Sequence, residues 1–230
     1  MMEAIVLAGG FGTRLREMVP DVPKPMAQVA GRPFLEILLN DLASKGFKRI
    51  VLSLGYKAEV IVTHFGKRFS GMDISYVVEN VPLGTGGAAR LGMSKCLGNH
   101  VFIFNGDTFL NLEADAVEFL WQKNRHPIIV TRKVSDTTRY GRLLVESGRV
   151  IGFTEKGVSG PGLINAGCYV LGISQLDDWP LNTHFSLEED YLAHTVMADP
   201  VNFFETQGVF IDIGVPEDYL RAQTLLKNHA

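Results

Sequence analysis

A glycine-rich turn near the start of the chain has residue types that bind phosphate. It contains Gly9, Gly10 and Gly12, and it continues into Thr13 and Arg14. Glycines let the backbone come close to an anion and turn N–H groups toward it. A tight turn after a strand would use the same glycines. The forked guanidinium of Arg14, which suits phosphate oxygens, therefore favours a phosphate site.

Two familiar phosphate-binding motifs do not fit this turn. A dinucleotide-binding turn needs a third glycine, where this chain has Leu15. It also needs an acidic residue at the end of the second strand, which here ends in Ser53, Leu54 and Gly55. A Walker A loop is excluded because no Gly-Lys-Ser/Thr sequence follows. The turn therefore predicts a phosphate site of another kind.

A lysine held between two prolines follows this turn. Lys24 lies between Pro23 and Pro25, whose rings fix the backbone on either side of it. A loop lysine is normally just solvated. One that is presented this stiffly, downstream of a phosphate-type turn, is also suited to hold a phosphoryl oxygen, and both interpretations of Lys24 stay open on these residues alone.

Two aspartates come directly after apolar strands, where open α/β sheets bind ligands. Asp107 follows the run 101–105, and Asp212 lies just before a helix predicted to begin at Pro216. Two carboxylates and nucleotide phosphates together suit Mg²⁺, which takes one or two carboxylates and completes its shell with water and phosphate. The alternative for Asp107 is an Asx turn. Asp218 is expected to serve the first turn of the helix.

The elements that would position these residues alternate between strand and helix in the first half of the chain. The strand-like runs are 4–8, 49–54, 74–78 and 101–105, and the helical patterns are 34–45, 88–97 and 112–123. Continuously apolar runs are typical of strands buried on both faces of a parallel sheet. The pattern predicts an α/β fold with a doubly wound, mostly parallel, Rossmann-like sheet.

The second half has shorter segments, which fit antiparallel hairpins better. The predicted strands are 128–132, 142–146, 150–154, 164–171 and one near Phe210, and the predicted helices are 187–196 and 216–227. Ser186 is expected to cap the first of these helices, with Glu189 as its capping-box partner. Because no linker separates the halves, we expect a single domain over 1–230.

Composition excludes several classes of function. The chain has 22 Lys and Arg against 25 Asp and Glu, so it lacks the basic stripe of a nucleic-acid binder. The 2 cysteines indicate a reducing compartment without a disulfide framework. With no signal-like start and no apolar run of membrane-spanning length, we expect a cytoplasmic protein that has neither nucleic acid nor membrane as a partner. Homo-oligomers stay possible.

Seven motifs in chain order resemble those of the sugar-1-phosphate nucleotidyltransferase family. They are GGFGTRL (9–15), PKPM (23–26), PLGTGGA (82–88), NGD (105–107), EK (155–156), NAG (165–167) and DIGVPEDY (212–219). The resemblance implies a glycosyltransferase-A-like fold with a mixed sheet. It also implies that about 1–126 form a nucleotide-binding half and about 127–230 a sugar-binding half.

The resemblance also implies which residues do what. The catalytic residues would be Arg14, which neutralises the departing pyrophosphate, and Lys24, which holds the nucleotide phosphates. Asp107 and Asp212 would hold Mg²⁺ on the α-phosphate. The nucleotide-binding residues would be Leu7, Gly9, Gly10, Gly12, Thr13, Glu79, Gly84 and Thr85, and the residues at the sugar phosphate would be Gly141, Glu155, Lys156 and Asn165.

The resemblance also indicates which nucleotide base and which sugar 1-phosphate the enzyme would use. Guanine presents two adjacent N–H donors that one carboxylate can accept, so Glu79 at the base-reading position favours GTP, although a solvated strand-end glutamate is the alternative. Among family members, the length and motifs are most similar to those acting on D-glycero-α-D-manno-heptose 1-phosphate for bacterial surface polysaccharides. The alternatives are an N-acetylmuramate 1-phosphate uridylyltransferase, a mannose-1-phosphate guanylyltransferase, and a silent nucleotide-sugar-binding regulatory module.

Overall fold

The structure is a computed structural model that describes residues 2–10, 12, 15, 18–20 and 22–229. The strands are β1 (Glu3–Ala8), β2 (Gln28–Val29), β3 (Arg32–Pro33), β4 (Arg49–Leu54), β5 (Arg68–Phe69), β6 (Met72–Val78), β7 (His100–Asn105), β8 (Thr108–Leu110), β9 (Ile128–Val134), β10 (Leu143–Glu146), β11 (Arg149–Phe153), β12 (Gly162–Gly172), β13 (Asn202–Thr206) and β14 (Phe210–Asp212). The α-helices are α1 (Phe34–Ser44), α2 (Ala58–Phe65), α3 (Gly84–Met93), α4 (Ala114–Asn124), α5 (Ala193–Ala198) and α6 (Pro216–Leu225). A 3₁₀ turn covers Lys24–Met26, and a π-helical turn covers Leu187–Leu192.

A parallel group of strands forms the centre of the sheet. β1 lies between β7 and β4, and β6 follows β4, all in parallel register. Val6 packs into an apolar cluster on one face of the sheet and Ile5 into a cluster on the other. Burial on both faces explains why these strands are continuously apolar, and their carboxyl ends meet along one edge.

Antiparallel strands extend this centre on one side. β12 pairs with β7 and β9 pairs with β12, both antiparallel, while β13 runs parallel to β9. The hairpin β10–β11 closes that side, as the short segments of the second half predict. Across the described part of the chain the sheet has 10 strands in the order β10-β11-β13-β9-β12-β7-β1-β4-β6-β5.

Helices cover both faces of the sheet, so the fold is doubly wound as predicted. α1, α2 and α4 pack their apolar sides into the cluster on one face. α3 and the turn Leu187–Leu192 pack into the cluster on the other. A third apolar cluster contains Phe109 of β8, Ile211 of β14 and Ala222 of α6. This third cluster holds the pair β8–β14 in place beside the ends of the central strands.

The start of α3 differs from the prediction. The sequence pattern predicts a helix over 88–97, whereas α3 covers Gly84–Met93. Glycines weaken a helix by about 1 kcal/mol each relative to alanine, so the pattern disfavours the first turn. The Phe185 carbonyl compensates by accepting the N–H groups of Gly86 at 3.0 Å and Gly87 at 3.3 Å. A contact from a distant segment therefore decides where this helix begins.

Several further elements are absent from the sequence prediction: α2, β13 and the short strands β2, β3, β5 and β8. α2 is short and contains the β-branched residues Val60, Ile61 and Val62, which weaken its helical signal. β13 contains the apolar pair Phe203 and Phe204 but was not predicted as a strand, and it lies between β9, to which it is parallel, and β11, to which it is antiparallel. In the described part of the chain, no helix combines the length and apolar character needed to cross a bilayer.

Candidate active site

A cavity of about 380 Å³ opens at the carboxyl ends of β1 and β7. Its walls come from the turn after β1, from the segment that leads into α3 and from the residues after β7. The predicted site residues that line it are Leu7, Gly9, Gly10, Gly12, Lys24, Glu79, Gly84, Thr85 and Asp107. The fold therefore brings together residues from four separate sequence motifs.

Lys24 enters this cavity from a rigid turn. It opens the 3₁₀ turn Lys24–Met26, with Pro23 as N-cap and Pro25 inside the turn. Its Nζ donates to Asp107 Oδ2 at 2.6 Å, and the lysine side chain is only 10% exposed. Gly12 has a φ of +60°, and a Cβ there would lie 2.7 Å from the Lys24 Cβ. A larger residue at position 12 would displace the lysine.

Asp107 and Asp212 lie close together because their strands pair. In the antiparallel pair β8–β14, Asp212 lies opposite Thr108, the residue after Asp107. The Ile213 N–H donates to the Asp107 carbonyl at 2.9 Å, and the Gly214 N–H donates to Asp212 Oδ1 at 2.6 Å. Gly214 also lines the cavity. The register thus places Asp212 beside the residues that follow Asp107, but among these two carboxylates only Asp107 is a cavity-lining residue.

These two carboxylates fit Mg²⁺ better than a metal held by protein alone. Within the described residues, no group of three or more histidine, cysteine or acidic side chains is arranged to hold a metal. Mg²⁺ commonly takes one or two carboxylates and keeps water and substrate phosphate as its remaining ligands. Asp107 is 37% exposed, so one of its oxygens can face such a ligand while Lys24 contacts the other. The donor set suits a metal that arrives with phosphate.

Glu79 lies against the glycine-rich turn. Its Oε2 accepts the Leu83 N–H at 2.9 Å, and its Oε1 is 3.4 Å from the Ser53 hydroxyl. A Cβ on Gly9 would lie 2.6 Å from Oε1, so a larger residue at position 9 would push this carboxyl aside. Burial raises the pKa of Glu79, against the opposing effect of the hydrogen bonds from Leu83 and Ser53. The side chain therefore lines the cavity instead of extending into solvent.

The segment before α3 is tied to the π-helical turn. Thr85 donates its hydroxyl to Glu188 Oε2 at 2.6 Å and accepts the Leu187 N–H at 2.9 Å. Because the N–H groups of Gly86 and Gly87 are bound by Phe185, they do not offer an anion site at the helix N-terminus. The surface of this segment that remains for a ligand is therefore its side chains and the backbone before Gly86.

The residues predicted at the sugar phosphate lie outside the lining of this cavity. A Cβ on Gly141 would lie 2.8 Å from the Thr154 carbonyl, next to Glu155 and Lys156, so these three predicted residues are neighbours. Asn165 lies on β12, away from them in sequence. An isolated antiparallel bridge pairs Ile164, the residue before Asn165, with Arg142, the residue after Gly141. The structure thus brings all four predicted residues into one neighbourhood outside the cavity.

An ion pair connects the loop around Gly141 with α6. Arg139 lies 2.7 Å from Asp218, which is buried and also lies 3.4 Å from Arg221. Asp218 does lie in the first turn of α6, as predicted, but it also holds this loop beside the segment that carries Asp212. The hydrogen bond raises the pKa of the Arg139 guanidinium, and burial opposes it.

Two predicted site residues are not among the described residues, and two residues at the site were not predicted. Thr13 and Arg14 lie outside the described residues, so their predicted contacts with phosphate stay predictions. Glu188 contacts Thr85 but had no sequence signal of its own, because it lies between the N-cap Ser186 and its partner Glu189. Asn105 lines the cavity as well, and its place directly before Gly106 and Asp107 is a signal that could have identified it.

Comparisons with known proteins agree over the whole chain. The family model Nucleotidyl transferase matches residues 3–229. The chain is 37% identical, over 99% of its length and 100% of the relative's, to a D-glycero-alpha-D-manno-heptose 1-phosphate guanylyltransferase of Aneurinibacillus thermoaerophilus. It is 39% identical, over 95% of its length and 97% of the relative's, to the protein of the same name in Campylobacter jejuni subsp. jejuni serotype O:2.

Solved structures show the same similarity in three dimensions. Crystal structures of HddC from Yersinia pseudotuberculosis, one of them complexed with GMP-PN, superpose with TM-scores of 0.87 and 0.86. Their sequence is 37% identical, and the match covers 99% of this chain and 100% of theirs. On the motifs, the cavity and these full-length matches, the chain is an enzyme of the nucleotidyl transferase family.

Proposed function

We propose that this enzyme joins GTP and D-glycero-α-D-manno-heptose 1-phosphate into GDP-heptose and pyrophosphate. The observation that carries the proposal is one cavity lined by the Lys24–Asp107 pair, by the glycine-rich turn and by Glu79. Two relatives named for the heptose reaction, matched over nearly their full length, support the sugar. The HddC complex with GMP-PN supports a guanine nucleotide.

The reaction needs positioning and charge more than proton transfer. A phosphate oxygen of the sugar 1-phosphate attacks the α-phosphorus of GTP, and a new oxygen–phosphorus bond forms. The bond from the α-phosphorus to the oxygen bridging to the β-phosphate breaks, and pyrophosphate leaves with the electron pair. The attacking oxygen is already ionised at neutral pH, so no general base is required. Catalysis then depends on in-line alignment and on cations at the phosphates.

Two basic residues are proposed to supply the protein's own positive charge. Lys24 holds the nucleotide phosphates through Nζ, which its proline-flanked turn already presents inside the cavity. Arg14 neutralises the departing pyrophosphate with its forked guanidinium. Both charges act where negative charge moves during the reaction, which is where an electrostatic contact accelerates it most.

Mg²⁺ is the proposed cofactor, held by Asp107 and Asp212. When bound, it would supply positive charge at the α-phosphate oxygens. The β8–β14 register keeps Asp212 opposite Thr108, the residue after Asp107, and the Gly214 N–H fixes the orientation of Asp212. Lys24 neutralises Asp107 in the absence of substrate, so the two carboxylates do not repel each other with their full charge.

Glu79 is proposed to read the base. One ionised carboxylate can accept both the N1–H and the exocyclic amine of guanine, whereas uracil and thymine present a donor flanked by acceptors. Glu79 keeps lone pairs for this purpose, because Leu83 occupies one site on Oε2 and the Ser53 contact is long. The alternative is that the backbone of residues 83–87 recognises the base. The N–H groups of Gly86 and Gly87 in this segment already donate to the Phe185 carbonyl.

The second half of the chain is proposed to bind the sugar phosphate. Gly141, Glu155 and Lys156 lie in adjoining loops, and the Lys156 ammonium is the charge that would hold the phosphate. Asn165 can both donate to and accept from sugar hydroxyls. This assigns nucleotide binding to about 1–126 and sugar binding to about 127–230.

A product assay tests the proposal directly. Purified enzyme with Mg²⁺ is given GTP, ATP, UTP or CTP, each with the 1-phosphate of D-glycero-α-D-manno-heptose, mannose or N-acetylmuramate. Pyrophosphate release and the mass of the nucleotide sugar are measured. We expect the highest kcat/KM for GTP with the heptose phosphate. A higher value for mannose or muramate overturns the sugar, and no product in any combination supports a silent binding module.

A further inference from the structure

A chain of hydrogen bonds runs from Thr85, which lines the cavity, to Asn165, which is predicted to bind the sugar. Thr85 at the cavity donates to Glu188 Oε2 at 2.6 Å. Tyr169 donates to Glu188 Oε1 at 2.6 Å, and Asn165 Nδ2 donates to the Tyr169 hydroxyl at 2.7 Å. We call these four residues the Glu188 relay. It connects elements that lie 103 residues apart in the chain.

The carboxylate of Glu188 sets the direction of every bond in the relay. Its partners are hydroxyls: Thr85, Tyr169 and, at 3.2 Å, Ser186. An ionised carboxylate only accepts hydrogen bonds, so each of these hydroxyls must point its proton at Glu188. The Tyr169 oxygen is then left with lone pairs, which accept from the Asn165 amide. The orientation of Asn165 follows from the charge on Glu188.

Tyr169 keeps its proton under all ordinary conditions. The residue is 1% exposed. Burial, and after it the neighbouring charge of Glu188, raise the pKa of Tyr169 well above its usual range. The hydroxyl therefore stays protonated and donates to Glu188.

The amide of Asn165 is fixed at both ends. Nδ2 is bound by Tyr169, and Oδ1 accepts the Gly167 N–H at 2.9 Å. Between Asn165 and Cys168 the β12–β9 register shifts, so this turn departs from the regular strand. An amide held in this way cannot exchange its oxygen and nitrogen. One N–H hydrogen and one oxygen lone pair remain for a ligand, in a known orientation.

We infer that Tyr169 and Glu188 are positioning residues for the sugar 1-phosphate: they orient the Asn165 amide and couple it to Thr85 at the nucleotide. The inference rests on the proposed function, because it takes Asn165 as a sugar ligand. Neither residue needs to touch a substrate. Their removal loosens Asn165 and leaves the charges at the reacting phosphates in place, so sugar binding is affected more than the chemical step.

Removing the tyrosine hydroxyl tests the sugar side of the relay. Tyr169→Phe keeps the ring and should raise KM for the sugar 1-phosphate by roughly five- to tenfold, the equivalent of one lost hydrogen bond. KM for the nucleotide and kcat should change less than about twofold. Tyr191→Phe, a partly buried tyrosine on the same π-helical turn, is the control and should change neither KM. Equal increases in both KM values, or none, would overturn the inference.

Glu188→Gln tests whether the relay couples Asn165 to Thr85. A glutamine cannot accept from both Thr85 and Tyr169 in the same geometry, so KM should rise for both substrates. In the Glu188→Gln background, Tyr169→Phe should add less than about twofold, because the relay is already broken. Full additivity overturns the coupling. If circular dichroism shows that Tyr169→Phe is unfolded, Glu188→Gln alone decides, and an unchanged KM for the sugar 1-phosphate overturns the inference.

The same measurements separate this inference from the proposed function. All variants are assayed with whichever nucleotide and sugar 1-phosphate the wild-type enzyme joins fastest. A best sugar other than the heptose phosphate overturns the proposed substrate and leaves the relay to be judged by its own KM changes. A wild-type enzyme that joins no pair overturns both.

Discussion

The two ends of the central strands each carry a cavity, and the cavities are similar in size. The one at the carboxyl ends is about 380 Å³ and the one at the amino ends is about 420 Å³. Both are lined by acidic and basic side chains. The first is lined by Lys24 and Asp107 among others. The second, which we call the amino-end cavity, is lined by Glu3 and Arg49 among others. Size and charge do not distinguish them.

The hydrogen bonds already made by the lining residues do distinguish them. Glu3 is buried, accepts N–H groups from Leu97 at 2.9 Å and Gly98 at 3.0 Å, and lies 2.9 Å from Arg49. His100, also at this end, contacts Glu118 at 2.7 Å. These groups serve the fold. At the carboxyl ends, Asp107 stays 37% exposed and can take a further partner. Spare bonding capacity is a better mark of a site than volume.

The largest expected effect is at the two aspartates proposed to hold Mg²⁺. Asp107→Asn and Asp212→Asn each remove a charge proposed to hold Mg²⁺, so kcat should fall by about 100-fold or more while the fold stays intact. Steady-state rates at increasing Mg²⁺ concentration, with circular dichroism, measure this. Asp73→Asn, at an exposed aspartate paired with Arg68, is the matched control. Full Mg²⁺-dependent activity in either variant removes that residue from the metal site.

Lys24→Ala should have the next largest effect. The lysine is proposed to act on charge that moves in the transition state, so kcat should fall by roughly 10²- to 10³-fold. Lys45→Ala removes a lysine that is also paired with an aspartate, Asp41, but lies away from the cavity. It should leave kcat unchanged. A near-normal kcat in Lys24→Ala would mean that the proline-flanked turn is structural.

Glu3→Gln in the amino-end cavity should give the opposite result. The amide presents an N–H group where the carboxylate accepted one, and Arg49 loses its ion-pair partner while it keeps its hydrogen bonds to Ser75 and the Lys95 carbonyl. The free energy of unfolding should therefore fall by about 2–3 kcal/mol. Catalysis should not change, because these bonds serve the fold. Urea unfolding and kcat together check this. A large loss of kcat in the still-folded variant would mean that the two ends of the sheet are coupled.

Glu79→Gln should have the smallest effect, on selectivity. The amide would present an N–H group to a guanine N–H, so the preference for GTP over UTP should weaken by about 1–3 kcal/mol in relative kcat/KM. Competition between the two nucleotides measures it. An unchanged ratio would assign base reading to the backbone before α3.

The pH dependence supplies a control for Glu79. Burial raises its pKa, so the carboxyl gains its proton at a higher pH than an ordinary glutamate. Because the proposed contact with guanine needs the ionised form of Glu79, KM for GTP should increase as the pH falls through this raised pKa. In Glu79→Gln that increase should disappear.

Prediction from the sequence succeeded where the signal is local. The strand predicted over 49–54 matches β4 at both ends, because a continuous apolar run is bounded by polar residues and a glycine. Ser186 does accept the Glu189 N–H as an N-cap should, at 3.1 Å. The Ser186 N–H, however, donates to Asp190 and not to Glu189, so only half of the predicted capping box forms.

Prediction failed where a distant segment decides the outcome. Nothing near Gly84 indicates that the carbonyl of Phe185 will stabilise a helix made of glycines there. Likewise, the pairing of Lys24 with Asp107 joins two motifs 83 residues apart. Motif order suggested that these residues share a site, but the ion pair between them depends on how the strands and turns pack.

The Phe185 contact also bears on the order in which the protein is completed during synthesis. The first turn of α3 depends on a carbonyl that leaves the ribosome about 100 residues later, which at 5–20 residues per second is roughly 5–20 s. Until then, the N–H groups of Gly86 and Gly87 lack this acceptor, and the first turn of α3, which contains three glycines, has little tendency to stay helical. A nascent chain that stops short of Phe185 would contain the turn after β1 and Lys24, but the wall that α3 contributes to the cavity would be incomplete.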